Sequence, residues 1–298
     1  MQASLLIPAL ACSALFALVP HAHAGERGNV NRRTGLFEPP LSDLRRAAAR
    51  EDRAELARTA ARLGPARLAK ALADPDARTA QAALDALPLL PAGILLLGEV
   101  LPLFSAPDDD TREHAVRSIA ALLASSDPAR LEEWEIADET TRATCRALAA
   151  VAGTEGLPVT TRLLALQSLI GSHSACAPGA KPTTLLSSPE PEIRRAAVLL
   201  FDAKAGSALR VAANDSDGRV AAAAGARQCR FRLPTEGPPL RQLALAEGAA
   251  AEDVVEMLPC LAVSTDPADA RALQNLRALG SPAVRDAIKR LRENGVTP

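Results

Sequence analysis

LLSSPEPEIRRAAVLLF (Leu185–Phe201), followed after a short gap by LRVAANDSDGRVAAAAGA (Leu209–Ala226), is the stretch whose reading decides the fold. In both segments a leucine-containing run enters a turn of Ser, Pro, Asn or Asp. An acidic residue follows, then an arginine two positions on, then an alanine-rich run. Proline is tolerated in a helix's first turn and breaks its interior, so these turns mark helix ends. Alanine, leucine and arginine are strong helix formers. Each segment therefore reads as two short helices joined by a tight turn.

The pattern returns on both sides. LAKALADPDARTAQAALDAL (Leu68–Leu87) is a clean copy; FSAPDDDTREHAVRSIAALL (Phe104–Leu123) and STDPADARALQNLRAL (Ser264–Leu279) are looser ones. The acid and the arginine recur as Asp76/Arg78, Asp110/Arg112, Glu192/Arg194, Asp217/Arg219 and Asp269/Arg271, with Asp43/Arg45 as a further candidate. A helix pair of this size cannot bury its own apolar stripe, so copies must stack on one another. Spacing is irregular around Arg142 and Arg162 and between Arg219 and Arg271, which leaves the register of 130–180 and 232–262 open.

These residues resemble the HEAT-repeat family, in which a short Asp-Pro turn ends the first helix and Val-Arg followed by small residues opens the second. The resemblance extends over roughly residues 41–294 and is most specific at 185–226. It implies an all-α, right-handed solenoid of about seven to eight helix pairs, whose second helices line a concave face that binds a protein or peptide. The physics of the repeat agrees. An acid at the second helix's N-terminus satisfies free backbone N–H groups and favours the helix dipole. The arginine is expected to reach a neighbouring repeat's turn acid, forming a ladder. Ala80, Ala83, Ala196, Ala197 and Ala222 are expected to face partner helices.

Composition supports helices over sheets. Hydrophobic residues make up 48% of the 298, but aromatics only 2%, with no Tyr and one Trp, Trp134. Strands favour β-branched and aromatic residues. The same scarcity argues against carbohydrate and single-stranded nucleic-acid sites, which use aromatic stacking platforms. A net charge of −1 supplies no basic field for nucleic acid. The arginines near the N-terminus (Arg45, Arg46, Arg50, Arg53) alternate with Glu51, Asp52 and Glu55, the mark of a solvated face.

Residues 1–24 read as a cleavable signal peptide, with an apolar run from Leu5 to Val19 and a small-x-small site cut after Ala24. Cys12 lies inside the apolar run rather than after it, which makes it a poor lipid anchor. A polar lead-in (25–40), the repeat region (41–294) and a short tail (295–298) complete the organisation. Export leaves four cysteines, Cys145, Cys176, Cys229 and Cys260, an even number compatible with two disulfides. Sequence alone allows three connectivities or four buried thiols; the equal separations of 145 to 176 and 229 to 260 favour those two pairs.

No motif for a nucleophile, metal or nucleotide is present, so no catalytic residue, cofactor or metal ligand is assigned. His114 and His173 lack a triad partner in sequence, and Asp108-Asp109-Asp110 lacks the alternate spacing of a calcium loop. Glu132, Glu133 and Glu135 form an acidic face around Trp134. Leu87–Phe104 is too interrupted by Pro88, Pro91, Glu99 and Pro102 to span a membrane, and is expected to be a buried first helix. A protein-binding scaffold outside the cytoplasm is the function this suggests. The alternatives are a HEAT-like lyase or enzyme accessory and a structural cell-envelope component.

Overall fold

Alanine and leucine punctuated by Pro and Asp give short helices and no strands among the described residues of this computed structural model, which are 40–125, 138–171, 176, 182–234 and 237–295. The chain is all-helical there. The expected signal peptide and most of the expected lead-in, Trp134 with its acidic neighbours, and His173 lie outside the described residues.

The helices are α1 (Leu41–Ala49), α2 (Arg53–Leu63), α3 (Pro65–Leu72), α4 (Ala77–Ala86), α5 (Leu97–Val100), α6 (Asp109–Ser125), α7 (Asp138–Gly153) and α8 (Val159–Gly171). They continue as α9 (Pro191–Leu199), α10 (Gly206–Ala213), α11 (Gly218–Arg230), α12 (Leu240–Ala244), α13 (Ala251–Ala262), α14 (Pro267–Leu279) and α15 (Pro282–Glu293). Contacts between them follow a rule. Helices α1, α4, α6, α8, α9, α11, α13 and α15 form a row in which each packs on the next. The intervening elements pack on the row: α3 on α4, α7 on α8, α10 on α11, α12 on α13 and α14 on α15.

Alanine sets the spacing of the row. Ala80, Ala83, Ala196, Ala197 and Ala222 are all buried. At Gly225 even a Cβ would lie 2.7 Å from Leu243 and 3.0 Å from the Met257 sulfur, so α12 and α13 close directly onto the α11 backbone. Buried apolar residues form two clusters. One runs from Leu44 to Leu200 and the other from Val198 to Ile288, and they divide within α9 and the turn after it.

Leu87–Phe104 does not form the single buried helix expected. It folds into 3-10 turns at Leu87–Leu89, Gly93–Leu96 and Leu101–Ser105 around the four-residue α5. Pro88, Pro91 and Pro102 lack the N–H that an α-helical ladder needs, so the segment is buried through Leu87, Ile94, Leu97, Val100 and Phe104 instead. No helix among the described residues is long and apolar enough to cross a membrane.

The four cysteines of the described residues are paired. Cys145 of α7 is bonded to Cys176, and Cys229 of α11 to Cys260 of α13, with Cα–Cα distances of 5.4 and 5.9 Å.

Candidate binding groove

The turn acids position the row. Asp76 caps α4 by accepting the backbone N–H of Arg78, and Asp217 caps α11 in the same way through Arg219. At the other three copies the capping residue is not the expected one. Asp108, not Asp110, accepts the N–H of Thr111, and Asp266, not Asp269, caps α14. Glu192 sits inside the first turn of α9, whose preceding Glu190 makes no side-chain cap. An extra acid or a proline at the helix's first residue moves the true cap back along the chain.

The arginine ladder forms in part with the members expected, Arg194 and Arg219. Arg194 clamps Asp215, in the turn before α11, with two hydrogen bonds of 2.8 and 2.9 Å. Arg219 reaches backward to Glu192 at 3.0 Å as well as to its own Asp217. Arg112 stays on its own turn, donating to the Ala106 carbonyl and pairing with Asp109. Neither Arg78 nor Arg271 makes a side-chain hydrogen bond or ion pair among the described residues. The remaining rungs use Arg45, the further candidate, and side chains outside the motif. Arg45 of α1 pairs with Asp76, Gln81 of α4 donates to Asp108 and Thr111 at 3.1 Å, and Arg241 of α12 pairs with Asp266 at 2.7 Å. Arg162, only 1% exposed, donates to the Ala152 carbonyl, Ser188 and Glu190.

Hydrogen bonding keeps these turn carboxylates ionised. The Thr111 hydroxyl and N–H hold Asp108 below the ordinary range against some burial. Burial opposes ionisation of Asp76, but Thr79, Arg45 and the Arg78 N–H outweigh it and lower its pKa. Asp217 is held at about 2, first by the Arg219 side chain.

Two faces of the row differ in what they leave open. Along α1, Ser42, Arg45, Arg46 and Ala49 share one face at helical spacing, and along α4 Arg78, Gln81, Ala82 and Asp85 do the same. With His114 of α6 these residues line a groove of about 480 Å³ across three consecutive row helices. His114 Nδ1 lies 2.7 Å from Asp85 Oδ1, tying α6 to α4 at its floor. Sequence placed His114 on a helix surface but could not show Asp85 facing it. A second hollow of similar size, between Leu101–Ser105 and α7, contains Arg112, already bound to its own turn.

Farther along the row the corresponding surface is bridged. Arg195 of α9 donates to Glu252 at 3.0 Å and Asp253 at 2.8 Å, both on α13, although α11 packs between those helices. Burial pushes the Asp253 pKa up, with Arg195 pulling the other way. Burial also opposes the charge on Arg195, but Asp253 and Glu252 outweigh it and raise its pKa. Among the described residues no group of three His, Cys, Asp or Glu is gathered to hold a metal ion.

No family model matches this chain, and no curated protein matches it. Among solved structures, an engineered protein is 15% identical, aligning over 78% of this chain and 96% of that one with a TM-score of 0.41. That likeness carries no argument about fold or function.

Proposed function

We propose that this chain is a HEAT-like α-solenoid that works outside the cytoplasm and acts by binding a protein or peptide rather than by catalysis. The observation that carries the reading is the groove across α1, α4 and α6. Here three consecutive row helices, each packed on the next, leave a face open, and polar side chains at helical spacing line it from two of them. Extended faces of this kind are the surfaces stacked-repeat proteins use for recognition. Several turn acids linked to neighbouring elements by Arg45, Gln81, Arg162 and Arg194 support the repeat reading. Two disulfides support an oxidising compartment.

Site-specific photo-crosslinking in the native compartment tests it. A photoreactive residue at Gln81, in the groove, should trap a discrete protein adduct. The same residue at Ser207, exposed on α10, should not. Equal trapping at both positions, or none at Gln81, would remove the groove from the function.

A further inference from the structure

The groove does not end at Asp85. Ala48 and Asp85 also border a second hollow of about 310 Å³, displaced toward the C-terminal ends of α4 and α6. The two hollows thus share a wall, and their chemistry differs.

The first carries three guanidiniums, Arg45, Arg46 and Arg78, against one carboxylate, Asp85, which His114 engages. Asp76 and Asp43 pair with Arg45 and Arg46. Arg78 is exposed and has no side-chain partner among the described residues. Arg78 is thus the one guanidinium of this hollow left open to an anion from outside. The second hollow has an apolar wall of Leu56, Leu84, Pro88, Leu89 and Ala121, with Glu51, Arg53 and Arg117 also lining it. Within its lining lies Ser118, 3% exposed, whose Oγ is buried and has no hydrogen-bond partner. Buried hydroxyls are nearly always paired, so an orphan in the wall of a hollow points to a group supplied from outside.

We propose that the two hollows are consecutive subsites for one extended segment of a partner protein, bearing an acidic residue and, a few positions away, an apolar one. The inference rests on the peptide-binding reading given above and names the chemistry of that peptide. The segment's carboxylate pairs with Arg78, its apolar side chain enters between Leu56, Leu89 and Ala121, and a polar group beside that side chain meets Ser118 Oγ. A lysine-rich segment would set like charges against three guanidiniums. A nucleic acid would find no aromatic ring in either lining on which to stack a base.

The test uses the mature, oxidised chain and short fluorescein-labelled peptides read by anisotropy. A peptide with Glu or Asp near Leu or Phe should bind. Replacing its acid by Lys, or its apolar residue by Ser, should weaken it about tenfold or more, the loss of one charge-assisted bond or one buried side chain. Arg78→Glu should give a similar loss for the acidic peptide and a gain for its Lys version, while the melting temperature stays that of wild type. Ser118→Ala should weaken binding a few-fold. Equal affinity for acidic and Lys peptides, or an Arg78→Glu variant indistinguishable from wild type, would overturn the proposal. Preference for an oligonucleotide, or self-association abolished by Arg78→Glu, would also overturn it. If Gln81 still crosslinks to a protein partner while peptides show no acid preference, this inference falls and the functional reading stands. If no adduct forms either, both fall.

Discussion

Helices α4 and α11 open alike and end up in different surroundings. Asp76 and Asp217 each cap their helix through the N–H of an arginine two residues on. Counting from those caps, Gln81 on α4 corresponds to Ala222 on α11, and Asp85 corresponds to Ala226. Gln81 and Asp85 are partly exposed, reach Asp108 and His114 on the next element, and leave a groove. Ala222 and Ala226 are buried, and Arg195 from the preceding row helix is joined to Asp253 on the following one. Turn chemistry sets where a row helix begins. The side chains one and two turns further in decide whether its face is sealed or available.

The comparison is sharpest where the two regions meet. Arg162, almost fully buried, links the Ala152 carbonyl to Ser188 and Glu190 at the entrance to α9, within which the two apolar clusters divide. Arg162→Ala is expected to cost roughly 3–5 kcal/mol, because it strips one partner from a buried, hydrogen-bonded charge network. Chemical denaturation measures it. A loss below about 1 kcal/mol, the scale of an exposed pair, would mean that the seam is held by apolar contacts alone.

Each region also carries one disulfide. Replacing either pair by serine should cost about 3–4 kcal/mol in the chain-entropy account, since both close loops of the same separation, 31 residues. Their response to reductant should differ. Cys145 and Cys176 are both buried, whereas Cys260 is only partly buried, so a thiolate reaches the Cys229–Cys260 bond first. Timed alkylation and mass spectrometry should find Cys229 and Cys260 labelled before the other two. The reverse order would show that opening of α7, not access to sulfur, governs reduction.

Arg194 and Arg219 test the ladder within the sealed region. Arg194 is 14% exposed in its side chain and holds Asp215 bidentately, so Arg194→Ala should cost roughly 1–3 kcal/mol. Arg219 is 41% exposed, and its bonds to Glu192 and Asp217 compete with water, so Arg219→Ala should cost clearly less. Thermal melts of both variants measure the order. Equal losses would mean that burial does not set the value of a rung.

Much of this was legible because it is local. Pro and Asp turns, alanine runs and aromatic scarcity identify helices and their starts without tertiary information. The equal cysteine separations favoured the pairing that the structure contains. Errors arose where local cues compete. At Asp110 and Asp269 a second acid or a proline shifted the cap, at Glu192 no side chain caps the helix, and at Leu87–Phe104 three prolines outweighed strong hydrophobicity. The ladder was half legible because an arginine makes a rung only where a neighbouring turn or helix start sets an acid within its reach, as Asp215 is for Arg194 and Glu192 for Arg219. The groove was not legible at all. Asp85 meets His114, and Gln81 meets Asp108, only because two helices align side by side.

The smallest expected effect concerns how alike the two caps really are. Asp217 is held at about 2, chiefly by the hydrogen bond from the Arg219 side chain, with burial opposing and the Arg219 N–H assisting. A carboxyl whose folded pKa is depressed below its ordinary value of 3.8 contributes stability above that value. The contribution is lost as pH falls through the folded pKa. Asp217→Asn keeps a capping oxygen but removes the charge, and should cost about 1 kcal/mol or less at neutral pH. The gap between variant and wild type should hold steady down to about pH 4 and then close toward about pH 2. Asp76→Asn in the open region should also show a gap that narrows as pH falls below the ordinary carboxylate range, since Asp76 is lowered too, against burial, by Thr79, Arg45 and the same Arg78 N–H. Urea titrations of wild type and both variants across this range measure the gaps. A gap that persists unchanged at the acid end for Asp217→Asn would mean that the cap works through geometry rather than charge. A gap that closes for one variant and not the other would separate the two helices at the one point where they look the same.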